Sequence, residues 1–211
     1  MTIDGNFIVS VITAIVAIIA LVLTLRQIKL SNKQHLFDKR MENYLIAMGL
    51  IQLYENNHRI FNEKEDGPLF ALDYDFALLT NNTYLEQITP VIDNPLKGAN
   101  HKNFLIKLED LNEVGTKIKF LFSKNEAKVL SDFVFSYRKV LFSMYQYQIT
   151  LNKMHEINRD HKLSLEEIQQ VANEPEQRIK LQKDFQNLKQ VYELLKKKNI
   201  EKYIEKQIKL L

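Results

Sequence analysis

Residues Phe7 to Leu25 read FIVSVITAIVAIIALVLTL, nineteen consecutive residues with no charge, no Gly and no Pro. Only Ser10, Thr13 and Thr24 are polar, and each is short enough to bond its hydroxyl back to a helical carbonyl. At ~1.5 Å per residue, a helix of this length spans roughly 28 Å, about one hydrocarbon core. A cleaved signal peptide needs basic residues before the apolar stretch and a small-residue cleavage site after it. Residues 1–6 instead carry Asp4 and no Lys or Arg, and the run ends in Leu-Thr-Leu before meeting Arg26 and Lys29. That is a stop-transfer pattern. The stretch predicts a transmembrane helix over 7–25, after a short extracytoplasmic N-terminus over 1–6.

The flanks orient it. Residues 26–40 hold Arg26, Lys29, Lys33, Lys39 and Arg40 against Asp38 alone. Positive residues resist translocation, so the N-terminus is expected outside the cell membrane and residues 26–211 in the cytoplasm. The five basic residues are expected near anionic lipid headgroups, as a topology signal at the membrane surface. Within the run, Ser10, Thr13, Ala17, Ala20 and Thr24 recur at 3, 4, 3, 4 spacing and share one helix face. In lipid, helices approach closely along such small-residue stripes. The stripe is therefore a candidate face for self-association or for packing on a partner's helix, against the alternative that small residues are merely tolerated in a lone anchor.

The 186 residues after the anchor suffice for one domain with a real core. Cysteine is absent, which excludes disulfides, thiolate chemistry and Cys-based metal sites. The five His residues show no metal-ligand spacing. The net charge of +3 divides unevenly: residues 41–100 hold three basic and nine acidic side chains, residues 101–211 hold 21 basic and 15 acidic. The C-terminal Lys residues alternate with Glu193, Glu201 and Glu205 rather than with aromatics, so nucleic acid is not an expected partner.

Helical periodicity persists along the chain, and strand alternation nowhere does. A first cytoplasmic helix either starts near Ser31, where Ser31 and Gln34 can form a capping box, or continues unbroken from the anchor. Phe37, Met41, Tyr44, Met48 and Ile51 form its stripe, widened by Leu45, Leu50 and Tyr54, and it should end near Asn56–Asn57. Residues 62–102 read as irregular, with a polar NEKEDGP loop and one short helix from Phe76 to Ile88 around TNNTYLEQI. A helix over about 103–122 follows, with Phe104, Leu108, Leu111 and Ile118 inward and a weak point at Gly115. Ser123 and Glu126 then suggest a capping box opening a long helix over about 124–156. Its stripe includes Leu130, Phe133, Tyr137, Val140, Leu141, Met144 and Gln148. A shorter helix begins at Ser164 with Glu167 three residues on, and stops before Pro175. The next runs from about Pro175 to Lys198 with Ile179, Leu188, Val191, Tyr192 and Leu195 apolar, and an amphipathic tail covers Ile200 to Leu211. The fold class is all-α: an N-terminal transmembrane helix plus an antiparallel cytoplasmic helical bundle.

The segment Glu156–Glu167 resembles an EF-hand calcium loop, with Glu156, Asn158, Asp160, Ser164 and Glu167 at the oxygen positions. His161 replaces the Gly of the sharp turn, Glu156 replaces the usual Asp, and no second loop pairs with it. An inter-helix loop followed by a capped helix accounts for Ser164 and Glu167 without calcium. Asp73-Tyr74-Asp75, His155-Glu156 and Asp160-His161 bring titratable groups together in sequence but match no catalytic pattern, and no Gly-rich phosphate loop or nucleophile elbow is present. No catalytic residue and no cofactor is expected.

Leu36-Phe-Asp-Lys-Arg40 with Tyr44, a few residues past the anchor, resembles a family of small bacterial membrane proteins that carries no assigned activity. The resemblance extends to Lys119-Phe-Leu-Phe122 before a long helix and to the charged final helix. It implies a single anchor and a cytoplasmic helical domain, and it supplies no functional residues; the Phe-Asp-Lys-Arg segment by itself is explained by Phe37 packing inward while Lys39 and Arg40 stay at the membrane surface. Together these features describe a single-pass, cytoplasm-facing interaction or scaffold protein whose partners are the bilayer and a second copy or another protein. The alternative is a membrane effector of a bacterial defence system acting through assembly of its anchors.

Overall fold

A computed structural model describes residues 5–61, 66–122, 124–160 and 162–209, and among them every regular element is helical. The longest is α1, Gly5–Asn56. It runs without a break from the apolar stretch through Ser31, so the second of the two expected starts holds. No Gly or Pro interrupts residues 6–48, which leaves nothing to stop propagation. Residues 5–35 are exposed throughout, apart from Ile8, whose side chain is not described. Burial begins only where Tyr44, Ala47, Leu50, Ile51, Leu53 and Tyr54 enter the core. Two members of the expected stripe lie outside it. Leu45 is 59 % exposed and Phe37 sits at the edge of the domain, because the buried face is set by Asn43, Ala47 and Leu50 rather than by Phe37.

A 3-10 turn, His58–Phe61, follows α1, and α2 spans Leu72–Thr80. The expected helix through TNNTYLEQI does not form. Asn82 turns its side-chain oxygen onto the backbone N–H groups of Tyr84 and Leu85, an alternative to the helical ladder that stops α2. A second 3-10 stretch, Glu86–Val91, carries Pro90. Then α3 spans Gly98–Leu121, beginning earlier than its apolar periodicity implies.

The next helix, α4, covers Lys124–Ile157. The cap expected at Ser123 lies outside the described residues. α5 is Leu165–Ala172, opened by the expected Ser164–Glu167 capping box, and Asn173 closes it in the left-handed region. α6 is Glu174–Lys197 and α7 is Ile200–Lys209. α4 is the centre of the domain, packing α3 on one side and α6 on the other, with further contacts to α1, α2, α5 and α7. It accordingly buries a broad face, from Leu130 and Phe133 through Tyr137, Leu141 and Met144 to Tyr145 and Tyr147.

Gly115 does not weaken α3; it permits the approach of α4. A methyl group added there would stand 2.5 Å from the Phe135 ring, and the Gly115 carbonyl accepts a hydrogen bond of 2.6 Å from Ser131 Oγ. On α6, Ile179 is 65 % exposed, and Leu181, Phe185, Leu188 and Leu195 make the buried stripe instead. An aromatic cluster of Tyr54, Phe61, Phe133, Phe185 and Tyr192 joins α1, α4 and α6.

Candidate functional site

The candidate features lie along α1. Its apolar segment is long and apolar enough to cross a membrane, and none of that window is buried against the rest of the chain. The three polar residues satisfy themselves inside the helix: Ser10, Thr13 and Thr24 each donate to the carbonyl four residues earlier at 2.8 Å. Hydroxyls so engaged present only carbon and an acceptor lone pair to their surroundings, which makes Ser10, Thr13, Ala17, Ala20 and Thr24 one uninterrupted small face.

Past Leu25 the same helix stands clear of the domain. Arg26, Lys29 and Lys33 lie on this exposed stretch, but the other two basic residues are engaged elsewhere. Lys39 pairs with Glu42 at 3.2 Å. Arg40 is half-buried and turned into the domain: its Nε donates to the Leu121 carbonyl at 2.6 Å and its Nη1 to the Gln207 carbonyl at 2.9 Å. Those carbonyls belong to the ends of α3 and α7, so one guanidinium satisfies the exposed acceptors of two helix C-termini and complements both dipoles. Its side chain also lies against the Phe122 ring. Sequence pattern assigned Arg40 to the lipid surface because nothing in the sequence places residues 121 and 207 beside residue 40.

Further along α1, Tyr44 donates to Glu205 of α7 at 3.2 Å, and Glu55 accepts from Tyr192 and Lys196 of α6 at 2.8 Å and 2.6 Å. Burial pushes the Glu55 carboxyl upward, but the hydrogen bonds from Lys196 and Tyr192 outweigh it and hold the group below its ordinary value. Burial likewise raises the Tyr192 phenol to about 12, with Glu55 adding to it. These phenols therefore remain protonated donors.

Two carboxylates lie in the interior. Glu174, at the first position of α6, accepts from the Tyr147 hydroxyl, from Gln169 Nε2 at 2.9 Å and from Arg178 Nε at 3.2 Å. Tyr147 also accepts from the Leu69 N–H at 3.1 Å. Asp184 accepts from Ser143 Oγ at 2.6 Å and Lys139 Nζ at 2.7 Å. Their acceptor atoms face protein donors, so each works as a tie between α4 and α6.

Four of the five calcium-loop residues make local contacts. Ser164 and Glu167 exchange the capping-box hydrogen bonds, Asn158 Oδ1 accepts from the Leu163 N–H at 3.1 Å, and Asp160 pairs with Lys162 at 3.0 Å. His161 lies outside the described residues. Glu156 is exposed at the end of α4. Among the described residues no three of His, Asp or Glu come together as a metal site. Tyr74 and Asp75 line a cleft of about 330 Å³ with Asn56, Arg59, Gln182 and Phe185, while Asp73 points outward.

Sequence reasoning missed Arg40, Glu174 and Asp184 as structural centres. The one legible signal was Glu174-Pro175, an acidic residue and a proline at a helix start. Comparison with known proteins gave no matching family model, no similar curated protein and no similar solved structure.

Proposed function

We propose that this protein is a single-pass membrane protein that works by contact rather than by chemistry. Its anchor is residues 7–25, its N-terminus lies outside, and its domain is a cytoplasmic antiparallel helical bundle. The observation that carries this reading is the continuity of α1 from Gly5 to Asn56. One helix holds an unburied apolar segment at one end and core residues Leu50, Ile51 and Tyr54 at the other. Any partner that grips the anchor therefore turns or tilts the domain as a rigid body.

The partner is a second copy, met along Ser10, Thr13, Ala17, Ala20 and Thr24. The lack of cysteine makes the test clean. Single cysteines at Thr13, Ala17, Ala20 and Thr24 should form disulfide dimers in native membranes, and cysteines at Ile15, Ile18 and Val22 should not. Equal cross-linking at both sets, or none at either, contradicts the proposal. A cysteine at exposed Asn125 should react with an impermeant maleimide only after the cells are opened. Labelling of intact cells would reverse the orientation. The same small-residue face supports a second reading, in which assembled anchors perturb the bilayer. Growth arrest on overexpression that disappears when residues 1–25 are deleted would favour it.

A further inference from the structure

Arg40 draws together two ends of the domain that carry the same chemistry. On one side is Phe120, beside the Leu121 whose carbonyl Arg40 holds; it is 83 % exposed, more than any other large apolar side chain among the described residues. On the other is the last turn of α7, where Lys206 and Lys209 flank the Gln207 carbonyl that Arg40 also holds. Lys119, Lys206 and Lys209 are exposed, and no carboxylate pairs with any of them among the described residues. Of the nearby acids, Glu42 pairs with Lys39 and Glu113 with Lys117, while Glu205 accepts from the neutral Tyr44 hydroxyl and keeps its charge; Lys119 and Lys206 lie over the Phe135 and Tyr203 rings. This is an aromatic wedge flanked by three exposed lysines, which outnumber the unpaired carboxylates Asp38 and Glu205, on the side of the domain from which the anchor leaves.

We propose that this rim docks on the anionic face of the membrane that holds the anchor, with Phe120 reaching the headgroup layer. The proposal rests on the reading that residues 7–25 span the bilayer. Arg40 stands fifteen residues past Leu25, so an upright α1 lifts it ~22 Å from the hydrocarbon edge. The headgroup layer is only ~6 Å deep, so an upright anchor leaves the rim clear of it. Spanning helices tilt by ~20° on average and by up to ~40°, and docking uses the steep end of that range. Such a tilt lowers Arg40 to ~17 Å. Tilted toward α3, whose axis is ~9 Å away and whose Phe120 projects further, it brings the ring roughly 10 Å lower still, to ~7 Å, at the outer boundary of the headgroup layer. Lysines at that height gain from anionic lipid, and the gain falls off within a Debye length of ~8 Å. The domain thus has a raised state and a docked state that differ by the tilt of one helix, and anionic lipid selects the second.

The chain has no tryptophan, so a single Trp reports one position without background. The full chain carrying Phe120→Trp is placed in nanodiscs at one copy per disc, with phosphatidylcholine alone or mixed with phosphatidylglycerol. Docking predicts a blue shift and quenching by lipids brominated near the headgroup, in the anionic discs only. Raising salt to 1 M, or the triple change Lys119→Glu, Lys206→Glu and Lys209→Glu, should abolish both. Val16→Trp, in the middle of the apolar run, is the control for the anchor. If Val16→Trp escapes quenching by lipids brominated deep in the acyl chain, the span fails and the docking with it. If Val16→Trp is quenched and Phe120→Trp shows red emission without quenching, the docking alone is overturned. A shift that appears only with two copies per disc assigns Phe120 to a protein contact and also overturns it.

Discussion

Replacing Tyr147 by Phe removes one oxygen and no packing volume, which makes it a clean probe of the interior. That oxygen donates to Glu174, whose side chain is fully buried, and accepts from the Leu69 N–H. A hydrogen bond to a charged group is worth about 1.5–3 kcal/mol, and a buried N–H left unpaired costs about 1–3 kcal/mol. The two add to at least ~2.5 kcal/mol, and ~3 kcal/mol allows for partial relaxation around the phenyl ring. For a chain of this size that is roughly a 6–12 °C fall in Tm. Burial and the adjoining Glu174 raise the Tyr147 phenol above its ordinary value, so it keeps its proton and the effect should not vary across neutral pH. The assay is thermal and urea unfolding of the full chain in mild detergent, followed by far-ultraviolet circular dichroism. Glu174→Gln should cost a similar amount, because its amide nitrogen would face the Tyr147, Arg178 or Gln169 donors. The double variant should fall short of the sum by about 1 kcal/mol or more, since the two groups share a bond. A Tyr147→Phe effect below about 0.5 kcal/mol, or additivity within that margin, would refute the assignment of this cluster as a tie.

Arg40→Gln should free the ends of α3 and α7, raising amide exchange in residues 200–209 and lowering stability by about 2–4 kcal/mol. Arg40→Lys should rescue little, because an ammonium cannot span both carbonyls as the planar fork does. Gly115→Val should destabilise by about 1–3 kcal/mol through overpacking against Phe135, and Phe135→Ala in the same chain should recover part of it. A full effect that persists without the Phe135 ring would contradict this. Glu55 titrates below its ordinary value of 4.5 in the fold, so its contribution is present above that pH and fades as pH falls through the folded value. Acid should therefore weaken the attachment of α6 to α1, and Glu55→Gln should flatten that part of the pH profile of Tm.

Local rules were sufficient wherever a residue answers to its own neighbours in sequence. The Ser164–Glu167 box and the hydroxyls of Ser10, Thr13 and Thr24 are all contacts within four residues. They fail where a distant element competes. Ile179 satisfies helical periodicity yet faces solvent, because α4 meets α6 through Leu181 and Phe185. TNNTYLEQI has helix-forming residues, but Asn82 diverts the backbone.

The sequence by itself determined that one nineteen-residue segment is long and apolar enough to cross a membrane, because charge and length are properties of the chain, and it left open whether the helix continues past Ser31. Only the tertiary structure decided what Arg40, Gly115, Tyr147 and Glu174 do. Their partners lie 81 and 167, 16, 78 and 27 residues away. A side chain's role there depends on which acceptor or ring the packing brings within reach, and no local pattern carries that information.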